Sequence, residues 1–221
     1  MKVSSYIDER KSRFASHSFF GFLYDSSVSV ERRISFLPRL SHFVMSFADI
    51  SQYILPFESP ENDLERAINV HSEEDANHWQ WFINDLKRME KSSGGLLTDH
   101  ILFLWSGENK NGRLLTYKLI SLIAGQPAKM RLVAVEVMEA AGNAFFEALA
   151  DVTKEISPAL EYCGELHLSH ETGHTIGSDE ELVDAVEYSP EEMKQVRAII
   201  DDGFLAFENF FTELEENTRP R

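Results

Sequence analysis

The fold class follows from one long apolar segment, which reads Ala128-Lys-Met-Arg-Leu-Val-Ala-Val-Glu-Val-Met-Glu-Ala-Ala-Gly-Asn-Ala-Phe-Phe-Glu-Ala-Leu-Ala-Asp-Val-Thr-Lys-Glu155. The turn signals Gly125-Gln-Pro127 and Ser157-Pro158 bound it, which indicates a single long helix. Two carboxylates, Glu136 and Glu139, interrupt the apolar residues. A buried carboxylate is costly unless it is paired or bound to a metal, so at least one of them needs a partner inside the protein.

The rest of the chain also indicates helices, because strand-like alternation is scarce and only seven prolines and eleven glycines interrupt it. The predicted helices cover about residues 3–24, 29–55 with a kink at Pro38, 60–91, 98–105, 112–124, 159–174, 179–187 and 190–216. We therefore predict an all-α fold for one domain, residues 1–221, with a loose tail at 217–221. The simplest arrangement is a multi-helix bundle around a central cavity.

Composition narrows the class of partner and the compartment. The net charge of −16 argues against nucleic acid and anionic membrane as main partners. A single cysteine, Cys163, permits no intramolecular disulfide and fits a reducing cytosol. The charged N-terminus does not resemble a signal peptide, and no apolar run approaches the length of a membrane span. We expect a cytoplasmic protein, and a homodimer stays open.

The strongest chemical pattern lies in Glu165-Leu-His-Leu-Ser-His-Glu-Thr-Gly-His174. On a helix, His167 and His174 point about 20° apart and Glu171 about 40° from His167. Two imidazoles and one carboxylate on one face form a metal-binding set. His170 points about 60° away from His167, on the side opposite Glu171, which indicates a supporting or surface position.

A second cluster lies upstream, in His71-Ser-Glu-Glu-Asp-Ala-Asn-His78. His71 and His78 share a helix face with Glu74 between them, and the aromatic residues that follow suggest that this face turns inward. One interpretation makes these three side chains metal ligands. The alternative is that Glu73, Glu74 and Asp75 form a solvated face, or that Glu74 and Asp75 pair with the histidines across one helical turn.

The two glutamates of the long segment complete the candidate ligand set. Glu136 and Glu139 would either bind a metal or form an ion pair with Arg113, Lys118 or Arg131. Carboxylates and histidines that converge from several helices are how di-iron and di-manganese sites are built. The ligand types suit one or two iron ions, with manganese or zinc as alternatives.

Several stretches resemble a known superfamily, the haem-oxygenase-like helical proteins. More narrowly, the chain resembles the non-haem dimetal oxidases and oxygenases of that fold and an uncharacterised bacterial group within it. Arg13-Phe-Ala-Ser-His17-Ser-Phe-Phe20 and Phe36-Leu-Pro-Arg-Leu40 are similar to the first and second helices of the superfamily. The bacterial group shares stretches like His78-Trp-Gln-Trp-Phe82 and Glu171-Thr-Gly-His174. The resemblance covers most of the chain in outline and implies the haem-oxygenase-like bundle.

The resemblance also implies a ligand set. In the dimetal oxidases an early helix supplies a carboxylate and, seven residues later, a histidine; here His78 matches the histidine, while His71 stands at the carboxylate position. A middle helix supplies a glutamate, which would be Glu139 or Glu136. A late His-x3-Asp/Glu-x2-His motif matches the cluster from His167 to His174. The implied function is an iron-dependent, O₂-activating oxidase or oxygenase that acts on a small organic substrate, carboxylate-bearing or acyl.

Three alternatives stay open at this point. Haem binding would use His17 as the axial ligand. A helical binding protein without metal chemistry would use the two clusters as internal ion-pair networks. Thiaminase-like chemistry, also found on this fold, would need Cys163 as nucleophile, although a buried cysteine is more often a packing residue.

Overall fold

A computed structural model describes residues 2–89, 95–171 and 180–219, and for residues 171, 180 and 181 it describes the backbone alone. Within these ranges all regular secondary structure is helical, which confirms the all-α prediction. The α-helices are α1 Val3–Ala15, α2 Ser18–Leu23, α3 Val30–Arg33, α4 Ser41–Asp49, α5 Asp63–Asp75, α6 Trp79–Arg88, α7 Leu97–Trp105, α8 Lys110–Ile123, α9 Ala128–Thr153, α10 Glu165–Glu171, α11 Glu180–Ala185 and α12 Pro190–Glu216. Short 3₁₀ turns span Leu37–Leu40 and Gly107–Asn109, and a π-helical turn spans Ile50–Ile54.

Helix α9 is the centre of the bundle, as its apolar sequence requires. Most of its side chains are buried, and α1, α5, α8, α10 and α12 pack around it. One end of the core consists of phenylalanine rings in edge-on or tilted contact, among them Phe14, Phe19 and Phe211. Such aromatic contacts stabilise beyond the area that they bury, by about 0.5–1.5 kcal/mol a pair.

The strongest helix-start signals of the sequence act as predicted. The Ser29 hydroxyl accepts from the backbone N–H of Arg32 and caps α3. Ser189 and Glu192 form a reciprocal capping box at the start of α12, with Pro190 in the first turn. These side chains bond backbone N–H groups that a helix leaves without an internal partner.

Three predicted long helices are interrupted in the structure. The predicted helix 29–55 divides into α3 and α4, with the 3₁₀ turn Leu37–Leu40, which contains Pro38, between them. The predicted helix 3–24 breaks at Ser16 and His17, because His17 Nδ1 accepts from the Phe19 N–H and starts a new helix, α2. The predicted helix 60–91 begins later, with Asn62 rather than Ser59 as its cap, and breaks at Ala76–His78. Hydrophobic periodicity continues across the breaks at His17 and at Ala76–His78, which is why the sequence pattern did not predict them.

The start of the C-terminal tail also differs from the prediction of a loose segment. Thr218 is fully buried, and the Asn217 side chain donates to the carbonyls of Glu108 and Glu213. Arg219 pairs with Glu215 and lies over the Phe22 ring. Residues 217–219 therefore pack against the bundle, through side-chain contacts that a composition argument does not reveal.

One buried carboxylate ties α12 to α8. The Glu213 oxygens accept from the backbone N–H of Asn111, at 3.0 and 2.8 Å, and of Gly112, at 3.3 Å. We expect Glu213→Ala to lower the free energy of unfolding by about 2–3 kcal/mol, because it removes a charged acceptor from the positive end of α8. Urea unfolding measures this, with the exposed Glu216→Ala as control, expected within about 0.5 kcal/mol of wild type. Equal losses in both variants would contradict this assignment.

Candidate metal centre

Five buried side chains converge beside α9. We call them the His–carboxylate cluster: His71, Asp75, His78, Glu139 and His167. Helix α5 supplies the first two, the turn after it supplies His78, and α9 and α10 supply the others. The structure thus brings the early, middle and late sequence clusters together, although they lie far apart along the chain.

The cluster has two halves that meet at Asp75. In the first, His71 Nε2 lies 3.3 Å from Asp75 Oδ2 and 3.4 Å from Glu139 Oε1. In the second, His78 Nδ1 lies 3.6 Å from Asp75 Oδ1 and 3.1 Å from His167 Nε2. The two oxygens of Asp75 therefore face different histidines.

These separations are those of ligands around a common ion. With bonds of about 2.1 Å, neighbouring ligand atoms of a tetrahedral or octahedral ion lie roughly 3.0–3.4 Å apart. Three residues, His71, Asp75 and Glu139, each offer one ligand atom, and these atoms all lie within 4.8 Å of one another. This half of the cluster can therefore hold one cation without a large rearrangement.

Surrounding groups fix the two histidines of the second half. His167 Nδ1 lies 3.0 Å from the Tyr162 carbonyl, which can only accept, so this nitrogen donates and a neutral ring presents the Nε2 lone pair towards His78. The His78 ring stacks on Trp81, with ring centres 4.6 Å apart and planes 16° apart. A hydrogen bond from the second ring nitrogen orients metal-binding histidines in this way.

Asp75 is the residue whose site role sequence reasoning missed. It was considered only as a solvated or pairing side chain, yet it is 3% exposed and lies between His71 and His78. Its spacing, four residues after His71 and three before His78, is the available signal, because such residues share a helix face. The helix break after Asp75 was the feature that sequence periodicity could not supply.

The remaining predicted ligands have other positions. Glu74 is half-buried on α5. Glu136 is buried on α9. The pKa of Tyr188 is raised mainly by the burial of its own side chain, and the nearby Glu136 charge raises it further. The Glu171 side chain and His174 lie outside the described residues, so the late motif is represented by His167 alone. Its neighbour His170 contacts the Trp81 ring, with centres 4.9 Å apart.

The cations considered as ion-pair partners for Glu136 and Glu139 have contacts elsewhere. Arg113 donates to the carbonyls of Leu104, Ser106 and Asn109. Lys118 pairs with Asp202, and Arg131 donates to four backbone carbonyls. For Glu139 the observed neighbour is instead His71.

An apolar cavity opens beside the cluster. Its space, including the part open to solvent, is about 760 Å³. Asp75, His78, Glu139 and His167 form its polar end, while seven phenylalanines from α4, α9 and α12 form a large part of its wall. A molecule in this cavity would contact the cluster directly.

His17, the candidate haem ligand, has a structural role instead. Its Nδ1 accepts from the Phe19 N–H, and its Nε2 lies 3.0 Å from the Thr212 hydroxyl. It is not among the described residues that line the cavity. The His17 ring thus caps α2 through Nδ1 and contacts α12 through Nε2.

Cys163 is buried outside the cavity lining and is a poor nucleophile. Its backbone N–H donates to Asp85 at 2.9 Å. Burial, and then the Asp85 charge, raise the pKa of the thiol well above its ordinary value. We expect the native thiol to react with iodoacetamide on the order of 100-fold more slowly than in unfolded protein. Mass spectrometry of alkylated samples measures this, and equal rates would restore Cys163 as a candidate nucleophile.

Comparisons with known proteins identify the fold. No protein-family model matches the chain, and no curated protein matches its sequence. Among solved structures, the TenA homologue protein from P.horikoshii OT3 matches with a TM-score of 0.65 and 15% identity, over 98% of this chain and 99% of that one. Among the described residues, no helix has both the length and the apolar character that crossing a bilayer requires. The chain therefore has an all-α, TenA-type multi-helix bundle fold.

Proposed function

We propose that the protein is a metal-dependent, O₂-activating oxidase or oxygenase that binds iron at the His–carboxylate cluster. The observation that supports this is the convergence of three imidazoles and two carboxylates, at ligand-to-ligand distances, at the polar end of an apolar cavity. Buried groups of this kind are expensive to assemble without a function. The resemblance to the non-haem dimetal oxidases favours the same chemistry.

Among the described residues, His71, Asp75 and Glu139 have the geometry to hold one ion, and we propose that the other half of the cluster holds a second. His71, Asp75 and Glu139 would hold one ion, and His78, His167 and Asp75 the other, with Glu171 and His174 as further candidates from the sequence. Imidazole and carboxylate ligands suit iron and manganese, and zinc also accepts them. Asp75 would supply the anionic charge that His71 removes from the early motif.

When bound, iron would supply the electrons that reduce O₂ for the oxidation of a substrate. The chain's own residues do the rest. Tyr162 and Trp81 hold His167 and His78 in orientation, and the phenylalanine wall excludes water and positions an apolar substrate against the cluster. The substrate contacts the side of the cluster that Asp75, His78, Glu139 and His167 expose to the cavity.

Oxygen uptake tests the proposed function. Protein loaded anaerobically with Fe(II) is mixed with oxygenated buffer in a sealed electrode cell, beside metal-free protein and Fe(II) alone. The proposal predicts rapid uptake of about one O₂ for two irons in wild type, and uptake like that of Fe(II) in buffer for His167→Ala. Identical traces for wild type and Fe(II) alone would contradict it.

A second candidate is a binding protein in which the cluster is an internal ion-pair network. The contacts of His71 with Asp75 and Glu139 favour this alternative, because their distances are also those of ion pairs between a protonated imidazole and carboxylates. It predicts that alanine at His71 or His167 changes stability, while wild type binds no metal. Metal analysis of the wild-type protein therefore separates the two candidates.

A further inference from the structure

We propose that two copies of this protein form a homodimer through an apolar surface on the outside of the bundle. Helices α7, α8 and α12 contribute to this surface, and we call it the α7–α8 face. Its exposed apolar residues are Leu96, Leu97, Ile101, Leu102, Trp105, Leu114, Tyr117 and Leu205. None of these is among the described residues that line the cavity beside the His–carboxylate cluster. The inference therefore needs neither iron nor substrate and is independent of the proposed function.

Helix α7 is the part of this face that its own chain leaves most open to solvent. Six of its nine residues are apolar, yet none of the nine is buried. Leu97 and Leu102 are 74% and 70% exposed. A helix of this composition normally buries its apolar side chains, because their exposure to water is unfavourable. A second protein surface that covers α7 would remove this cost.

The apolar surface continues from α7 onto α8. Trp105, at the end of α7, is 59% exposed, and Tyr117 on α8 is 55% exposed. The ring of His42 on α4 contacts both, with its centre 5.5 Å from that of Trp105 and 6.4 Å from that of Tyr117. The two helices therefore present one continuous surface rather than two separate patches.

On α8 the exposed side chains form a ridge between two grooves. Leu114, Tyr117 and Lys118 are three and four residues apart, so they share one face of the helix. Tyr117 lines a groove against α4 and a second groove against α12, and Leu205 lines the second. A ridge flanked by grooves can pack against a copy of itself, because a twofold axis places the ridge of each copy in a groove of the other. This shape suits a second copy of the chain.

The area of the face matches what a stable dimer needs. The eight apolar residues are between 46% and 74% exposed. With roughly 150–200 Å² for a whole side chain of this size, they offer on the order of 800 Å² of apolar surface. The largest apolar patch of a typical monomer is about 300–600 Å², whereas each partner of a stable dimer buries about 800 Å². The face is thus larger than a monomer usually exposes and large enough for a dimer.

The charge of the face favours the same occupant. The chain carries a net charge of −16, so two copies repel each other over most of their surfaces. Among the described lining residues of the groove between α8 and α12, the charged ones are Lys118 and Asp202, which pair at 3.2 Å. Two copies that meet here avoid the repulsion. A basic partner would instead be attracted to the acidic surfaces elsewhere.

Molar mass in solution tests the proposal. Wild-type protein at micromolar concentration is analysed by sedimentation velocity beside Leu102→Glu and Tyr117→Glu, each checked for folding by circular dichroism. We expect wild type at twice the chain mass of 25.3 kDa. Each variant should weaken the dimer by at least about 100-fold, because an unpaired carboxylate is costly to bury at an interface. The matched control is Val70→Glu, since Val70 is 45% exposed on α5, outside the face, and this variant should dimerise like wild type.

A monomeric wild type would overturn the proposal, and a monomer that sediments with phosphatidylcholine vesicles would assign the face to a membrane instead. A dimer as tight in either variant as in wild type would also overturn it, as would equal dissociation of the Val70→Glu control. If a variant does not fold, hydrogen exchange of the wild-type protein decides, over the concentrations at which its mass changes. Dimerisation through this face makes the protection of the α7 backbone amides rise with protein concentration, and constant protection would overturn the proposal.

Discussion

Replacing Asp75 with asparagine is expected to weaken iron binding by at least about 100-fold while the protein stays folded. The two Asp75 oxygens face His71 and His78, so one carboxylate contributes to both halves of the His–carboxylate cluster. Asparagine keeps the shape of the side chain but removes its charge and one acceptor oxygen. Loss of a residue that only supports a metal ligand typically lowers the metal affinity about 10–100-fold. Loss of Asp75, which is itself a proposed ligand, should lower the affinity by at least that much.

Equilibrium dialysis against Fe(II) under argon measures this effect in wild type and Asp75→Asn. Glu73→Gln is the matched control, because this exposed carboxylate lies on the same helix and its loss also reduces the negative charge by one. The control should bind iron like wild type. Equal losses in the two variants would mean that general charge, rather than the position of Asp75, attracts the metal.

The largest expected effect on stability is at Arg131. Its guanidinium donates to the carbonyls of Gln126, Ile54, Leu55 and Pro56, and it lies 4.0 Å from the centre of the Phe57 ring. One side chain thus joins the start of α9 to the end of the π-helical turn. We expect Arg131→Met to lower the free energy of unfolding by about 3 kcal/mol, since it leaves carbonyls without their donor and removes the cation–π contact.

Chemical denaturation measures this loss, with two companion variants. Arg131→Lys keeps the charge but lacks the planar fork, so it should recover less than half of the lost stability. The exposed Lys154→Met, at the other end of α9, should change stability by less than about 0.5 kcal/mol. Full recovery by lysine would show that charge alone, rather than the several directed hydrogen bonds, stabilises this junction.

The sequence predicts the long elements of the fold well and their interruptions poorly. Helix α9 is specified by a continuous apolar pattern, and α12 by the Ser189–Glu192 capping box, so both lie where they were predicted. The break at His17 depends on the hydrogen bond that its side chain accepts from Phe19, and neither this break nor the one at Ala76–His78 disturbs the hydrophobic pattern. A local sequence pattern predicts a helix correctly where the tertiary packing agrees with it, whereas tertiary contacts determine where the helix ends.

The sequence likewise predicts some residues of the candidate site and misses others. The three histidines, His71, His78 and His167, were predicted because their spacing places them on helix faces with other possible ligands. Glu139 was predicted, together with Glu136, because it interrupts an apolar segment. Asp75 was not, because its role depends on the turn that follows α5. The choice between Glu139 and Glu136 depends on the rotation of α9, and only the structure places Glu139 next to His71.

Metal content is the measurement that tests the account most directly. Protein without an affinity tag is loaded anaerobically with Fe(II), separated from free metal and analysed by ICP-MS, beside His71→Ala and His167→Ala. The account predicts about two irons per chain in wild type, with loss of iron in both variants. Wild-type protein that is folded and retains no iron would contradict the claim that the His–carboxylate cluster is a metal centre.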